Sequence, residues 1–445
     1  MVQASASLRS SKGTERSTRR RGRWRRILLW LAASGVVLVG LTYWAVHRFE
    51  WAGPLVANSL RAVIGVDNVA HLEDLVYAAE DRVNRLTRRN EKPQAHWQVP
   101  AVAPALSNAP AASAAAAAAP EAARLPPFAP KDPGPALKQW SAPGDGKWVP
   151  MVDPRRPGEP TYMMKTLLHP DVGRSWAEVF VVAVDLRRVR VYAVAGTREP
   201  AADSPEGEKY ERAALIPTAH DEELLGAFNG GFMTEHGGYG MKVDGVTLVK
   251  PKPNACTLAV YADDSVRIAP WKDIAADEPR MRWFRQAPEC MWSGDVLHPG
   301  LVGGKGLKWG ATLDGDTVIR RSAVGLNAAR DVLYVSITNH TTARVLADGM
   351  HHCGAVDVAQ LDVNWSYPKF VTFEPGEGSP ERKAVALSEG FEYSPDEYIR
   401  KKQRRDFFYL MRKDTGLTPP SDYAAPSASA APPAANPAPS ATPPP

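Results

Sequence analysis

The sequence predicts an α+β fold: a β-rich mixed domain preceded by one transmembrane helix and a disordered linker. Three observations carry this expectation. Between Lys147 and Lys413, short runs of branched aliphatic and aromatic residues alternate with polar ones and break at Gly pairs, while helical periodicity is sparse. The segment Ile27 to Val46 carries no charge over 20 residues, enough at 1.5 Å per residue to cross a hydrocarbon core of ~30 Å. Ala- and Pro-rich tracts flank the β-rich region, and the chain's 40 prolines among 445 residues mean that the foldable part is smaller than the length suggests.

Taken in order, residues 1–26 form a basic tail with Arg16, Arg19, Arg20, Arg21, Arg23, Arg25 and Arg26 crowded together. By the positive-inside rule this tail stays in the cytoplasm and everything after Val46 is exported. Trp24, Trp30, Tyr43 and Trp44 mark the two ends of the 27–46 span, as interfacial aromatics do. A cleaved signal peptide is the rival, but no small-x-small site follows, since the segment runs into Val46-His47-Arg48-Phe49-Glu50. The expected location is the inner (cytoplasmic) membrane, single-pass, with the main domain periplasmic. The net charge of +5 is local to the N-terminus, so a nucleic acid is not an expected partner, whereas the membrane is.

Residues 47–97 read as a juxtamembrane helical segment, in which Val63, Val66, Val69, Leu72, Leu75 and Val76 spread over neighbouring faces. Their repeat is too short and irregular to predict a coiled coil, and a helix lying on the membrane or on the domain is expected instead. Residues 98–146 form an Ala/Pro-rich linker, including the run Ala114 to Ala119, and 414–445 a similar unstructured tail.

The domain itself spans 147–413. Trp176 to Ala195 reads as two strands joined by a turn near Asp185 to Arg188, with Val189, Val191 and Ala193 alternating. Further strands are expected at Leu225–Phe228, Thr257–Tyr261, Val266–Ala269, Val318–Ile319, Val332–Thr338 and Phe370–Phe373. Short helices are expected at Asp221–Leu225 and at Thr341–His352, the latter starting on a Thr cap and stopping before Gly354. Cys256, Cys290 and Cys353 allow one disulfide, with partners the sequence does not choose, and Cys256 also suits a small buried strand position.

Four stretches stand out chemically. Ala227-Phe228-Asn229-Gly230-Gly231-Phe232-Met233 ends a strand on paired glycines, which allow positive φ or a close backbone approach to a ligand. Then come Phe284-Arg285-Gln286-Ala287-Pro288, Arg321-Ser322-Ala323-Val324-Gly325, and a helix leading into Leu361-Asp362-Val363-Asn364-Trp365-Ser366. In this order they resemble the phosphodiester glycosidase family, whose pattern is Asn-Gly-Gly-Phe, Gln-x-x-Pro, Arg-Thr-Ala-x-Gly and Asn-Leu-Asp-Gly-Gly-Gly-Ser. The resemblance covers roughly Trp176 to Phe391. It departs where the family's glycines become Val363-Asn364-Trp365, and Val363 resists the positive φ of an anion nest while Trp365 fills space.

The resemblance implies a β-rich phosphodiester-glycosidase-like domain that cleaves a sugar joined to a phosphodiester, with a phosphate-linked envelope glycan or exopolysaccharide as partner. Arg321 then suits the phosphate, its bland alternative being a strand-end salt bridge. Asp362 is the candidate nucleophile or general acid/base, against a turn aspartate capping the backbone. Glu235 is the nearest second carboxyl in sequence. Asn229, Gly230, Gly231, His236, His340, Asn364 and Ser366 are the candidate substrate contacts, the histidines being otherwise ordinary loop residues. No cofactor and no metal is expected: His351-His352-Cys353 and Cys290 lack ligand spacing, and no P-loop, dinucleotide fingerprint or nucleophile elbow occurs. A catalytically inactive descendant that binds envelope glycan or a protein as a scaffold is the second reading, favoured by Val363-Asn364-Trp365.

Overall fold

The β-branched and aromatic runs of the domain become strands, and the side chains' period of two gives each sheet its inner and outer face. The computed structural model describes most of residues 63–100, 125–302, 317–376 and 379–413, with Trp309 and isolated positions before 63. Among the described residues the strands form three sheets, all antiparallel and numbered here in chain order. The largest runs β1 (Val149–Met151), β2 (Met163–Leu168), β3 (Glu178–Asp185), β14 (Val332–Thr341), β13 (Ile319–Leu326), β15 (Asp357–Gln360), β11 (Trp292–Ser293) and β12 (Val296–Leu297). The second runs β7 (Val246–Val249), β6 (Met241–Val243), β10 (Met281–Ala287), β8 (Cys256–Tyr261) and β9 (Val266–Pro270). The third runs β17 (Ser379–Ala386), β16 (Phe370–Gly376), β5 (Leu224–Asn229), β18 (Phe407–Arg412) and β4 (Val189–Val194). With the helix Ala343–His352 this is an α+β domain.

One core draws on all three sheets: Phe180 and Val182 of β3, Val191 of β4, Phe228 of β5, Leu258 of β8 and Trp283 of β10 pack together. The Trp283 indole N–H donates to the Val191 carbonyl at 3.1 Å, so this large side chain is buried with its one polar atom satisfied. A second core lies on the other face of the eight-stranded sheet, where Val179, Val181 and Ala323 meet Leu346, Ala347 and Met350 of the helix. That helix is capped at Thr342, whose hydroxyl accepts from the Val345 N–H at 3.2 Å, and it ends before Gly354 at φ 104°.

Several expectations change. Strands β3 and β4 are consecutive but belong to different sheets, so the turn at Asp185–Arg188 carries the chain between layers instead of closing a hairpin. The expected helix at Asp221–Leu225 is a 3-10 turn, Thr218–Glu223, running directly into β5. The 98–146 linker is shorter than predicted: Phe128 is buried in the second core, and Arg188 donates to the Leu125 and Pro126 carbonyls at 2.7 and 3.0 Å. Composition hides this, because a few anchors suffice to fix a Pro-rich strand whose conformational entropy is already low.

The chain divides into two compact units, Met1–Glu73 and Asp74–Pro445. A helix runs from Val66 to Thr87, inside the predicted helical segment. The basic tail 1–26, the stretch 101–124 and the tail 414–445 lie outside the described residues, and the 27–46 span is described at scattered positions only. Among the described residues no helix is long and apolar enough to cross a membrane.

Cys256 and Cys290 form a disulfide, and Cys353 is a buried thiol. The bridge joins the start of β8 to the loop after β10 across 34 residues, a separation worth about 3–4 kcal/mol by loop-closure entropy. The Cys256→Ser/Cys290→Ser variant should lose stability of that order in urea denaturation, and a loss under about 1 kcal/mol would show that the surrounding ladder alone fixes this loop.

Candidate active site

The site is built where the end of β5, the middle of β13, the segment after β15 and the segment before β18 converge. Asn229 ends β5, and its side-chain amide donates to the Gly230 carbonyl at 3.1 Å and to the Ser322 hydroxyl at 2.8 Å, while its oxygen accepts the Lys369 N–H at 3.1 Å. The hydroxyl of Ser322, on β13, donates in turn to the Asp362 carbonyl at 2.8 Å. The Asp362 N–H donates to the Gly230 carbonyl at 3.2 Å. These links fix the backbone of the Asn-Gly-Gly and Asp-Val-Asn-Trp segments against each other.

Beneath them lies an ion pair. Asp406, fully buried, accepts from Arg285 Nε at 2.8 Å and Nη2 at 3.1 Å and from the Gly231 N–H at 2.9 Å. Arg285 completes its shell on the Phe232 and Tyr239 carbonyls at 2.6 and 2.9 Å. This explains the glycines differently from the sequence expectation. Neither Gly230 nor Gly231 has positive φ, but a Cβ on Gly230 would sit 2.2 Å from Asp406 Oδ2 and one on Gly231 2.8 Å from the Arg285 guanidinium carbon. The close approach they permit is to the Arg285–Asp406 pair.

Asp362 is 2% exposed. Its Oδ1 accepts the Asn364 N–H at 2.8 Å, and its Oδ2 is paired with Arg405. Arg405 is itself largely buried; although burial disfavours its charge, Asp362 beside it holds the guanidinium above its ordinary pKa, with Tyr367 and Glu199 adding to the effect. Its guanidinium also lies over the Tyr367 ring, 4.7 Å from the centroid. Glu199 is held by backbone donors, its Oε2 accepting the Thr234 N–H at 2.8 Å and the Ala201 N–H at 3.2 Å.

Asn229, Gly230, Gly231, Asp362, Asn364 and Ser366 are brought together, Ser366 reaching Asn364 Oδ1 at 3.5 Å. Val363, Asn364 and Trp365 all keep negative φ, so the sequence without glycines is unstrained. Trp365 stays 38% exposed, with the Arg320 guanidinium 3.9 Å from its ring centroid.

Arg321 is not at this site. Strand alternation points it with Ala323 toward the second core, where it is fully buried and donates to the carbonyls of Trp309, Thr317 and Thr341 and to Gln360 Oε1 at 2.6, 2.9, 3.1 and 2.9 Å. Burial pulls its pKa down to about 9, and among the described residues no carboxylate pairs with it. It clamps the backbone at residues 309, 317 and 341, and among the described residues it makes no salt bridge. Its neighbour Arg320 faces the Asp362 loop, donating to the Trp365 and Gly390 carbonyls at 3.0 and 2.8 Å.

Glu235 and His236 sit half-exposed on the turn after the glycines, 3.4 Å from each other. His340 lies in the left-handed region at φ 50°, and burial, with Arg88 and Arg320 nearby, lowers its pKa to about 4. Arg405, Asp406, Arg320 and Glu199 were not predicted, and the only hint was the basic-acidic run Arg404-Arg405-Asp406 before an aromatic strand. Among the described residues no group of three or more His, Cys, Asp or Glu is placed to hold a metal ion.

No protein-family model and no curated protein matches the chain. Among solved structures, the catalytic domain of zebrafish N-acetylglucosamine-1-phosphodiester α-N-acetylglucosaminidase, auto-inhibited by its pro-peptide, is similar over 60% of this chain and 88% of that one, at 14% identity and a TM-score of 0.36. A hypothetical protein from Synechocystis is similar over 57% of this chain and 62% of that one, at 9% identity and a TM-score of 0.33. A Burkholderia pseudomallei protein described as exported is similar over 57% of this chain and 75% of that one, at 11% identity and a TM-score of 0.26. Likenesses this distant leave the chemistry to be read from the residues of this chain.

Two outcomes follow from the geometry. Replacing Asp406 with Ala strands the Arg285 cation in the core, and should cost about 3–5 kcal/mol in urea denaturation; a cost below 1 kcal/mol would mean that the carbonyls alone hold Arg285. His340 stays neutral in the fold to about pH 4, while the unfolded chain takes up a proton near 6.5. Its contribution is therefore intact above 6.5 and lost as pH falls toward 4, by at most about 3 kcal/mol. His96 runs the other way: its bond to Glu178 raises its pKa, so that its contribution is present below 6.5 and fades as pH rises through the folded value. His340→Asn, which tolerates the left-handed backbone, should flatten the stability profile between pH 6.5 and 4 relative to wild type. An unchanged slope there would rule out His340 as the group responsible.

Proposed function

We propose that the chain is a membrane-anchored, extracytoplasmic phosphodiester-glycosidase-like hydrolase acting on a phosphate-linked sugar of an envelope or exocellular polysaccharide. The observation that supports this is the Asp362–Arg405 pair, whose aspartate is tied through its backbone to Gly230 at the end of β5 and to Ser322 of β13. The Arg405 guanidinium is the group suited to a phosphodiester, which would take over part of its pairing with Asp362. Asp362 is then released toward the anomeric carbon as nucleophile or base. Water oxygen ends on the anomeric carbon, the bond from that carbon to the phosphate oxygen breaks, and a phosphate monoester leaves. That leaving group has a second pKa of only about 6, so it departs with little help from a general acid. One carboxylate with one guanidinium is therefore a sufficient set, with Asp362 taking the proton that the attacking water gives up and passing it to solvent. Trp365 and Tyr367 offer ring faces of the kind that sugars pack on.

The second reading, an inactive glycan- or protein-binding scaffold, is favoured by one observation: both oxygens of Asp362 are satisfied within the protein, by Asn364 and Arg405. A panel of sugar-1-phosphodiesters incubated with the full chain separates the two. The hydrolase reading expects turnover that falls about 10²–10⁴-fold in Asp362→Asn and whose KM rises in Arg405→Lys, which keeps charge but loses the fork. Binding of the same compounds without turnover, weakened by Arg405→Lys, would establish the scaffold instead.

A further inference from the structure

We infer that the substrate is a polyanion with a phosphate in every repeat, and that a basic rim of Arg198, Lys402 and Arg404 holds the phosphates next to the one at Arg405. The inference rests on the hydrolase reading of Arg405 and adds to it a second binding surface and a polymeric substrate. All three rim side chains are exposed, and among the described residues none of them has an ion pair or a side-chain hydrogen bond. Their neighbours in the same run are paired: Arg400 meets Asp396 at 2.6 Å and Lys401 meets Glu397 at 3.8 Å.

The backbone that carries the rim is fixed. The Thr197 N–H donates to the Gln403 carbonyl at 2.8 Å, and the Arg198 and Glu199 N–H groups donate to the Arg404 carbonyl at 3.1 and 2.9 Å. These bonds lace the segment 196–199 to the segment 402–405. Gly196 permits the approach, since a Cβ there would lie 2.5 Å from the Arg404 carbonyl oxygen and 2.4 Å from the Arg405 carbonyl carbon. Arg212 secures the first segment by donating to the Gly196 and Pro200 carbonyls at 2.9 and 2.7 Å. Gln403, which is buried, secures the second by donating to the Lys401 carbonyl at 2.8 Å. A ligand that meets cations on an ordered backbone costs their side-chain freedom only, and no loop has to be ordered.

Charge selects the ligand. The nearby carboxylates are already engaged: Asp362 with Arg405, and Glu199 with the Thr234 and Ala201 N–H groups. Exposed like charges on two laced segments repel one another, and a polyanion relieves that repulsion. Lys402 lies at most about 11 Å along the chain from Arg405, so one extended ligand reaches both. A lipid surface fits less well, because interfacial patches pair their cations with apolar side chains that enter the acyl boundary, and neither 196–199 nor 402–405 contains one. The same segments contain no aromatic residue on which the bases of a single-stranded nucleic acid could stack.

The test uses the full chain in detergent with a poly(glycosyl 1-phosphate) of many repeats, its single-repeat phosphodiester, and a single-stranded oligonucleotide of equal charge. Binding is titrated in the Asp362→Asn background, which spares the polymer, and turnover of both sugar ligands is measured with Asp362 present. Arg198→Gln/Lys402→Gln/Arg404→Gln should weaken polymer binding at least about tenfold and flatten its salt slope by about 0.7 per cation removed. Between about 50 and 200 mM salt the variant should therefore lose roughly 20-fold less affinity than the chain with its rim intact. Turnover and KM of the single repeat should be unchanged, and the thermal midpoint should not fall. Lys131→Gln/Lys138→Gln/Lys272→Gln, which removes exposed cations elsewhere, should leave polymer binding unaltered. Rim-dependent binding of polymer without turnover of either sugar ligand would sustain the rim and refute the hydrolase reading alone. Turnover of the single repeat with no preference for polymer, equal effects of the two triple variants, or oligonucleotide binding as tight as polymer binding would each overturn the inference.

Discussion

The buried ion pair between Arg285 and Asp406 is the interaction on which the rest of the site depends. It joins β10 of one sheet to the residue just before β18 of another, and the end of β5 passes directly over it. A carboxylate and a guanidinium withdrawn from water hold their place only when nearly every remaining donor and acceptor is also used. Here Gly231, Phe232 and Tyr239 supply those partners from the backbone. The polypeptide after β5 is therefore shaped by the demands of the pair, and the requirement for two glycines follows from the space the pair leaves.

Arg405 and Asp406 divide the work between neighbours in sequence. Because adjacent residues in extended chain point opposite ways, Asp406 turns into the core and Arg405 turns to Asp362. The same alternation on β13 sends Arg321 into the second core and leaves Arg320 and Ser322 facing the site. A strand thus presents to the site whatever lies at one parity, and a shift of a single residue exchanges an arginine buried in the second core for one that faces the Asp362 loop.

That parity marks the limit of what could be read from the sequence. Strand positions such as Thr257–Tyr261 and the Thr-capped helix before Gly354 are written in local pattern, and Asn229, Gly230 and Asp362 announced themselves as strand-end polar and glycine residues. The choice of Arg321 over Arg320 needed the face, which the doublet Arg320-Arg321 does not reveal. Arg405 and Asp406 were hidden for a different reason: they reach Gly230 only because the last strand inserts between β5 and β4, a pairing across about 180 residues that no local signal encodes. The disulfide and the ordered Pro-rich stretch around Phe128 belong to the same class, since each is defined by a distant contact.

The replacement of glycines by Val363-Asn364-Trp365 then has a local logic. An anion nest made of backbone N–H groups needs residues at positive φ, and this loop has none. What it has is side chains: Trp365 over Arg320, Tyr367 over Arg405, and a carboxylate held between Arg405 and the Asn364 N–H. Positive charge at the site is therefore supplied by guanidinium groups in place of oriented amides. Guanidinium groups stay charged through burial where a lysine would lose its proton, so a loop without glycines is still compatible with an anionic ligand, provided the ligand can compete with Asp362 for Arg405. That competition, more than the missing glycines, decides between an enzyme and a binding protein.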